Sequence, residues 1–367
     1  MKENKARVIA FYLPQYHPIP ENDKYWGKGF TEWTNVAKAK PLFRGHYQPH
    51  IPADLGFYDL RLPEVREAQA ELARDAGIEG FCYYHYWFGN GKMLLQKPFE
   101  EVLRLGKPDF PFCLCWANHD WTTKTWVKGS SMVNNTMIAQ QEYLGEQDDI
   151  KHFEYCLRAF KDHRYITIEG KPIFLIYDPL SFPNVKEFMN RWNFLAKKNN
   201  LKGIYFIGVT TGRQSSYKIV TNLGFDGVCH NRRWEAEAKA AGFRFVRRMQ
   251  SLLGWHLGIS LMKYDYNKVV RNYDTPENKL ENCYPVITPG FDRTPRAGRR
   301  AGIYVNSSPK NFKKHVAEIC KSIQDKDDDH RLVFLSAWNE WGEGNYMEPD
   351  LKWGHGYLEA LKSVVKF

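Results

Sequence analysis

Short apolar runs alternate with longer amphipathic segments along the chain. The apolar runs are rich in β-branched and aromatic residues, which is typical of buried strands, and the segments between them repeat apolar positions every three to four residues, which is typical of helices. This alternation predicts βα units around a parallel sheet. The eight predicted strands are Val8 to Leu13, Gly80 to Tyr84, Phe112 to Trp116, Pro172 to Tyr177, Tyr205 to Val209, Gly227 to His230, Tyr284 to Thr288 and Leu332 to Trp338.

Helices are predicted between most of these strands. In Leu62 to Ala76 the apolar positions Val65, Ala68, Leu72 and Ala76 form one face. Eight strands favour closure into a barrel over an open sheet, so the predicted fold class is α/β, a single (β/α)8 TIM barrel. The other predicted helices are Phe99 to Leu105, Ile150 to Lys161, Asn184 to Lys197, Lys310 to Ile323 and Tyr357 to Val365.

Two connections are too long for plain βα loops. Residues 14–60 are rich in Pro, Gly, His and Trp, and residues 231–282 form a basic insertion after the sixth strand. Long loops that follow barrel strands usually build the active-site face. No repeat or low-complexity linker interrupts the chain, which predicts one domain over residues 1–367.

The charge and the cysteines narrow the function classes. A formal net charge of +10 suits an anionic neighbourhood or a solvated basic surface, and no nucleic-acid-binding motif accompanies it. The seven cysteines lie mostly inside apolar runs, and Cys113 and Cys115 lack the further ligands of a zinc site. We therefore expect reduced thiols, no metal and no cofactor. The short polar start of the chain and the absence of a bilayer-length apolar stretch add the expectation of a cytoplasmic protein without a transmembrane segment.

Aromatic residues, 15% of the chain, cluster directly after predicted strands. The clusters are residues 83–88 after strand two, 116–121 after strand three and 338–341 after strand eight. Sugars present C–H faces to aromatic rings and hydroxyl groups to polar partners. Because all three clusters fall at the carboxyl ends of barrel strands, we expect a saccharide site there, although any single cluster is more often packing.

Two glutamates, Glu340 and Glu343, end the last strand. On a straight strand, residues three apart face opposite sides, but Gly342 and Gly344 permit a bend that brings both carboxylates into one pocket. Glycosidic bond cleavage uses such a pair, one group as acid and the other as base or nucleophile. The sequence therefore predicts that Glu340 and Glu343 are catalytic; the alternative is a pair of exposed acids or partners of nearby arginines.

Long motifs carry a family resemblance that extends from about residue 7 to about residue 360. They resemble the WbsX-type proteins, which are similar to glycoside hydrolase family 99, the endo-α-mannosidases and endo-α-mannanases. The motifs are Phe11 to His17, Gly29 to Trp33, Gly80 to Tyr84, Cys115 to Asn118, Thr288 to Asp292 and Trp338 to Gly344.

The resemblance implies a retaining, metal-free mechanism. Glu340 would deprotonate the sugar 2-hydroxyl, which attacks C1 to give a 1,2-anhydro sugar, and Glu343 would be the general acid/base. The chain departs from the mannosidases, which have His between their two glutamates, at Trp341 and Gly342, and this weakens an expectation of mannose specificity. It also departs from many WbsX-type proteins at residues 118–121, which leaves the roles of His119 and Asp120 open.

Further substrate contacts are expected from the loops after the strands. His17 in its Pro-rich loop is equally compatible with a structural role, and Asp292 with Arg293 could hold a charged substrate or pair with each other. The expected contacts are Tyr12, Gln15, His17, Trp33, Tyr84, Tyr86, Trp116, Asn118, His119, Asp120, Trp121, Asp292, Trp338, Asn339 and Trp341.

Together these patterns predict an enzyme that cleaves or transfers glycosidic bonds of a bacterial surface polysaccharide or its oligosaccharide precursor. One alternative is a glycosyltransferase of O-antigen, capsular or lipopolysaccharide biosynthesis, although the sequence has no dinucleotide fingerprint and no P-loop. The other is a non-catalytic carbohydrate-binding barrel. Residues 243–249 and 252–255 mix basic and apolar side chains, and such a stretch either packs on the barrel or touches an anionic membrane, as a lipid-linked substrate would require. The sugar, its linkage and the oligomeric state are not encoded in any recognisable pattern.

Overall fold

A computed structural model describes residues 6–123, 136–212, 215–241 and 262–365, and in it eight parallel strands close into a barrel. Each strand pairs with its neighbours in chain order, and the barrel closes where Arg7 of the first strand pairs with Leu332 of the last. The strands are β1 Arg7–Tyr12, β2 Gly80–Trp87, β3 Phe112–Trp116, β4 Lys171–Ile176, β5 Tyr205–Val209, β6 Gly227–His230, β7 Cys283–Ile287 and β8 Leu332–Leu335.

The predicted fold class is confirmed, and every predicted strand is present. The strands are almost completely buried because the barrel interior covers one face and helices cover the other. Two strand ends differ from the prediction. β2 continues past Tyr84 to Trp87 because it pairs with the short antiparallel strand Met93–Leu94, and β8 ends at Leu335 instead of Trp338.

Helices fill the layer around the barrel and the long loops. They are α1 Pro20–Trp26, α2 Glu32–Lys38, α3 Pro63–Asp75, α4 Lys97–Leu105, α5 Glu146–Phe160, α6 Val185–Lys198, α7 Tyr217–Asn222, α8 Arg233–Ala240, α9 Tyr266–Val270, α10 Thr294–Ala297, α11 Pro309–Ser322 and α12 Gly356–Val365.

The buried face of α3 differs from the predicted one. Instead of Val65, Ala68 and Leu72, which are only half-buried, the helix buries Arg66, Gln69, Ala70 and Ala73. Two polar side chains can face the barrel because Arg66 donates to the Leu60 carbonyl oxygen and to Glu101, and Gln69 donates to Glu348. A buried polar network has replaced the expected apolar stripe.

The two long connections build structure above the carboxyl ends of the strands. Residues 14–60 contain α1 and α2, and the described part of residues 231–282 contains α8 and α9. The basic and apolar stretch at residues 243–249 and 252–255, for which packing on the barrel and contact with a membrane were the two alternatives, lies outside the described residues. Among the residues that are described, no helix has the length and apolar character needed to cross a bilayer.

Candidate active site

A cavity of about 750 Å³ opens at the carboxyl ends of the barrel strands. Residues at the carboxyl ends of the strands line it, including Tyr86 in β2, Tyr177 directly after β4 and Ser336 directly after β8. A cavity of this size lies in the range of small-molecule sites. The position agrees with the general rule for this barrel, in which loops at the carboxyl ends of the strands form the active site.

Glu340 and Glu343 converge on this cavity and share one arginine. Arg296, from α10, places Nη2 2.7 Å from Glu340 Oε2 and Nη1 2.7 Å from Glu343 Oε1. The two side chains are mostly buried, and both line the cavity. One planar guanidinium therefore holds both carboxylates at a fixed separation.

The backbone bend after β8 brings the two carboxylates together. Glu340 ends the short strand Asn339–Glu340, Trp341–Glu343 forms one turn of 3-10 helix, and Asn345–Tyr346 returns antiparallel. Gly344 has a φ of +54°, and a Cβ atom there would lie 2.8 Å from the Asp292 Cβ. The Asp292 N–H donates to the Glu343 carbonyl oxygen at 2.5 Å, which ties this bend to the loop after β7.

A third carboxylate, Glu32 of α2, lies beneath the pair. It is completely buried, and its Oε1 accepts a hydrogen bond from Arg296 Nε at 2.9 Å. A Cβ atom at Gly342 would lie only 1.6 Å from this Oε1, so Glu32 occupies the space that a side chain at position 342 would need. Glycine directly before Glu343 is therefore required by the buried glutamate.

The two cavity glutamates differ in their affinity for a proton. Burial raises the pKa of the Glu343 carboxyl, but Arg296, Arg293 and Arg233 outweigh burial and hold that pKa below its usual value. Burial raises the pKa of Glu340 to about 7, with Arg296 opposing the shift and Glu343 and Glu32 adding to it. A proton shared by the pair therefore resides on Glu340 when the site is free.

Aromatic rings line part of the cavity. Tyr86 stacks on Trp121 with ring centroids 5.8 Å apart, and Tyr84 stacks on Phe11 at 5.5 Å. Trp234 of α8 also lines the cavity and is 42% exposed, although its type favours burial. These surfaces suit the C–H faces of a saccharide.

About half of the expected site residues line the cavity. Those residues are Gln15, Tyr84, Tyr86, His119, Asp120, Trp121, Glu340 and Glu343. The others are buried away from it among the described residues and support the site instead; they are Tyr12, His17, Trp33, Trp116, Asn118, Asp292, Trp338, Asn339 and Trp341.

The expected contacts at Trp33, Trp338, Asn339 and Trp341 are corrected to supporting roles. Asn339 exchanges hydrogen bonds with the backbone of Leu13, and the Trp341 indole donates to the buried Glu348 at 2.5 Å. The Asn339 bonds join the loop after β8 to the loop after β1, and the Trp341 bond lies within the segment after β8. The rings of Trp33 and Trp338 are buried within the core.

The corrections after β1 and β3 have the same physical cause. The Tyr12 hydroxyl donates to Gln69 at 2.6 Å in the helix layer, and the Trp116 indole donates to the Trp87 carbonyl oxygen at 2.9 Å. Asn118 holds the Asp178 backbone with bonds of 2.7 and 2.8 Å. Alternate residues of a strand face opposite sides of the sheet. The side chains of Tyr12 and Trp116 do not line the cavity, and the Asn118 side chain is hydrogen-bonded to a neighbouring loop.

His17 and Asp292 are also corrected. His17 is buried, and burial lowers its pKa to about 4, which indicates a neutral structural side chain. His46 Nε2 lies 2.7 Å from Asp292 Oδ2. The Asp292 carboxylate also accepts hydrogen bonds from the Gln48 amide at 2.8 Å and from the Thr294 hydroxyl. Of the two alternatives for Asp292 and Arg293, mutual pairing does not occur among the described contacts, since Arg293 Nε lies 3.4 Å from Glu343 Oε1 instead.

Several site residues escaped the sequence analysis. Arg296 and Arg233 carry no local motif, and Glu32 comes from a helix far away in sequence. Two buried carboxylates need a cationic partner, and the sequence offers a run of arginines after β7, at residues 293–300. This need was the signal by which Arg296 could have been found. Tyr177 directly follows the fourth strand and was predictable from its position.

One cluster of metal-ligand types occurs among the described residues, His85, His152 and Cys156, and it is buried outside the cavity. His85 Nε2 and His152 Nε2 are 2.7 Å apart, a hydrogen-bond distance that occupies the nitrogens a metal ion would use. The cluster therefore fits a hydrogen-bonded histidine pair better than a metal centre.

Comparisons with known proteins agree with this architecture. A family model described as glycosyltransferase WbsX matches residues 8–361. The protein WxcX of Xanthomonas campestris pv. campestris (strain B100) is 34% identical over 361 residues, which are 98% of this chain and 50% of WxcX. The chain thus spans about half the length of the curated relatives it matches.

Two solved structures share the fold. A GH99 endo-alpha-mannosidase from Bacteroides thetaiotaomicron superposes with a TM-score of 0.54 at 17% identity, over 98% of this chain and 96% of the mannosidase. A glycoside hydrolase-like protein gives a TM-score of 0.59 at 16% identity, over 99% and 94% of the two chains. At these identities the likeness shows the fold alone.

Proposed function

Because the chain belongs to the WbsX glycosyltransferase family, we propose that it is a carbohydrate-active enzyme that cleaves or transfers glycosidic bonds of a bacterial surface polysaccharide or its oligosaccharide precursor. The observation that carries the proposal is the pair Glu340 and Glu343, held by one arginine in an aromatic-lined cavity. Paired carboxylates beside a saccharide-sized space are what glycosidic chemistry requires.

The proposed reaction has two steps and retains configuration at C1. In the first step the sugar 2-hydroxyl oxygen attacks C1 while its proton passes to Glu340, the glycosidic bond breaks, and the departing oxygen takes a proton from Glu343. In the second step water or another hydroxyl gives its proton to Glu343 and attacks C1. The three-membered ring opens, and the released 2-oxygen takes the proton back from Glu340.

This assignment requires one proton on the glutamate pair and places it on Glu343 at the start. In the free site the arginines around Glu343 favour the opposite arrangement, with the proton on Glu340. The proposal therefore includes a shift of the proton from Glu340 to Glu343 when substrate binds. Arg296 contacts both carboxylates, so it can compensate either arrangement without moving.

Transfer from a sugar nucleotide is the second candidate, and the description of the family as glycosyltransferases favours it. The two candidates differ in the donor. A hydrolase or transglycosidase begins from an oligosaccharide, whereas a sugar-nucleotide transferase begins from a nucleoside diphosphate leaving group, which departs without protonation.

The test is an assay of the purified chain with bacterial O-antigen and capsular oligosaccharides. Release of reducing ends or formation of longer products supports bond cleavage or transglycosylation, and calorimetric binding of sugar nucleotides supports the transferase. Glu340→Gln and Glu343→Gln should each reduce turnover by about 100- to 10,000-fold, the usual contribution of a general acid or base.

Glu359→Gln is the matched control, because Glu359 is exposed on α12 and outside the cavity. It should leave turnover unchanged. Full turnover in either cavity variant would refute the assigned roles, and saccharide binding without any bond cleavage or transfer would point to the non-catalytic alternative.

A further inference from the structure

Two arginines on the Glu343 side of the cavity have hydrogen-bonding capacity to spare. Arg293 and Arg233 both line the cavity, and their side chains are 35% and 29% exposed. Within the described residues neither guanidinium donates a hydrogen bond. Arg293 Nε forms an ion pair with Glu343 Oε1 at 3.4 Å but is buried without a hydrogen-bond partner, and Arg233 Nε lies 3.9 Å from Glu237 Oε1. Each guanidinium carries five N–H donors, so both present unused donors to the cavity.

The needs of Glu343 do not account for both arginines. Its carboxylate already pairs with Arg296 at 2.7 Å, which supplies one full counter-charge. Of the other acids in the cluster, Glu340 has a pKa that burial raises to about 7, so it carries only part of a negative charge at neutral pH, and burial also raises the pKa of Glu32. Arg293 and Arg233 approach their nearest acids, Glu343 and Glu237, only at 3.4 and 3.9 Å, so both keep positive charge that a ligand in the cavity can pair with.

Aromatic rings hold Arg233 in place. Its guanidinium carbon lies 4.6 Å from the Phe291 ring centroid and 4.9 Å from the Trp234 ring centroid. Such contacts fix the plane of a guanidinium without using its N–H groups. The exposed Trp234 ring beside it offers an apolar surface next to the free donors.

We propose that Arg233 and Arg293 bind an oxyanion of the saccharide, a carboxylate or a phosphate group, so that the natural substrate is an acidic glycan or a phosphorylated sugar. Planar guanidinium groups recognise both kinds of oxyanion through paired hydrogen bonds. The inference rests on the proposed function, because it assigns the substrate class of the same cavity.

An anion bound there also explains how the glutamate pair becomes competent. It would neutralise the two arginines that lower the pKa of Glu343, while Arg296 would continue to contact both carboxylates. The proton affinity of Glu343 then rises toward that of Glu340, and the proton can move to the proposed general acid. An acidic substrate would thereby activate the site, whereas a neutral one would leave the proton on Glu340.

The binding test compares D-glucuronate, D-glucose 1-phosphate and neutral D-glucose, with acetate and inorganic phosphate as free anions, by ligand-detected NMR and tryptophan fluorescence. At least one anionic probe should bind about 10- to 100-fold more tightly than its neutral counterpart, the range expected for hydrogen bonds to a charged group. Preference for glucuronate or acetate would identify a carboxylate, and preference for the phosphate probes would identify a phosphorylated sugar.

The variants Arg233→Gln and Arg293→Gln should each remove most of this preference while the thermal midpoint stays within a few degrees of the parent protein. Arg299→Gln is the matched control, because Arg299 is exposed on the same loop. Equal binding of neutral and anionic probes, or a preference that survives in both cavity variants, would overturn the inference. Neither result would contradict the catalytic roles assigned to Glu340 and Glu343, which are tested separately by turnover.

Discussion

The side chain of Arg296 makes the protonation of two glutamates interdependent. Because Glu340 and Glu343 contact different nitrogens of the same guanidinium, a proton on one carboxyl changes the charge felt by the other. The three arginines near Glu343 and the two carboxylates near Glu340, Glu343 and Glu32, make the two members of the pair unequal. At the scale of single residues, the proposed reaction requires the glutamate pair to hold one proton, and the pair does so only over a limited pH range.

The pH dependence of kcat/KM should therefore be bell-shaped. The free site keeps its single proton only below the pKa of Glu340, which burial raises to about 7, so kcat/KM should fall as the pH rises through about 7. On the acid side it should fall only below the usual range of a glutamate, because the pKa of Glu343 is lowered. Initial rates from pH 4 to pH 9 measure the alkaline limb and the upper part of the acid limb, and a profile that is flat from pH 6 to pH 9 would contradict the shared proton.

At the scale of elements, the turn after β8 depends on the helix α2 that follows β1. The 3-10 turn Trp341–Glu343 packs over Glu32, and the space at Gly342 is filled by the glutamate carboxyl. The loop that carries the glutamate pair therefore has its shape determined by a contact between residues more than 300 positions apart.

Gly342→Ala should displace Glu32 and disturb its bond to Arg296, since the added Cβ would lie 1.6 Å from Oε1. We expect the free energy of unfolding to fall by about 1–3 kcal/mol, as for other overpacked interiors. Turnover should fall roughly 100-fold, because small displacements of reacting groups have such effects. Denaturant unfolding and initial rates measure the two changes.

Gly302→Ala is the control for that substitution. A Cβ there would meet its nearest atom at 3.6 Å, an ordinary contact, and the position has no positive φ. Its unfolding free energy should stay within about 0.5 kcal/mol of the parent. If Gly342→Ala behaves like this control, the close packing of Glu32 against the turn does not hold in solution.

The elements themselves were predictable, whereas the side of each element that faces the site was only partly so. Strand alternation correctly puts Tyr84 and Tyr86 on one face of β2, and both line the cavity. The same alternation does not fix which face is inward, so Trp116 and Trp338 were assigned to the cavity and are instead buried in the core. Glu32 and Arg296 could not be found locally, because their roles arise from contacts between distant loops.

At the scale of the whole molecule, the barrel protects its thiols. All seven cysteines are free, and all except Cys320 are buried. Burial raises the pKa of the Cys82, Cys156 and Cys229 thiols well above their usual value, and that of Cys320 to about 12. A buried thiol with a raised pKa is a poor nucleophile until the structure around it opens.

An aromatic disulfide reagent at pH 8 should therefore modify at most one thiol of the native protein quickly, and all seven after unfolding. Cys320→Ser should abolish the fast reaction if Cys320 is the thiol concerned. Rapid modification of two or more thiols in the native protein would show that the barrel opens far more often than its packing implies. Added reductant should leave the thermal midpoint unchanged, because no disulfide joins the cysteines.

The pairing of β1 with β8 also bears on how the protein is made. A nascent chain that has not reached Leu332 leaves both β1 and β7 with unpaired backbone edges, and the ring of strands cannot close. Glu340 and Glu343 leave the ribosome only after β8, so a translation product that stops before this strand lacks the glutamate pair. The ring of strands is thus completed only at its last strand, and until β8 is made the open edges of β1 and β7 can pair with other chains.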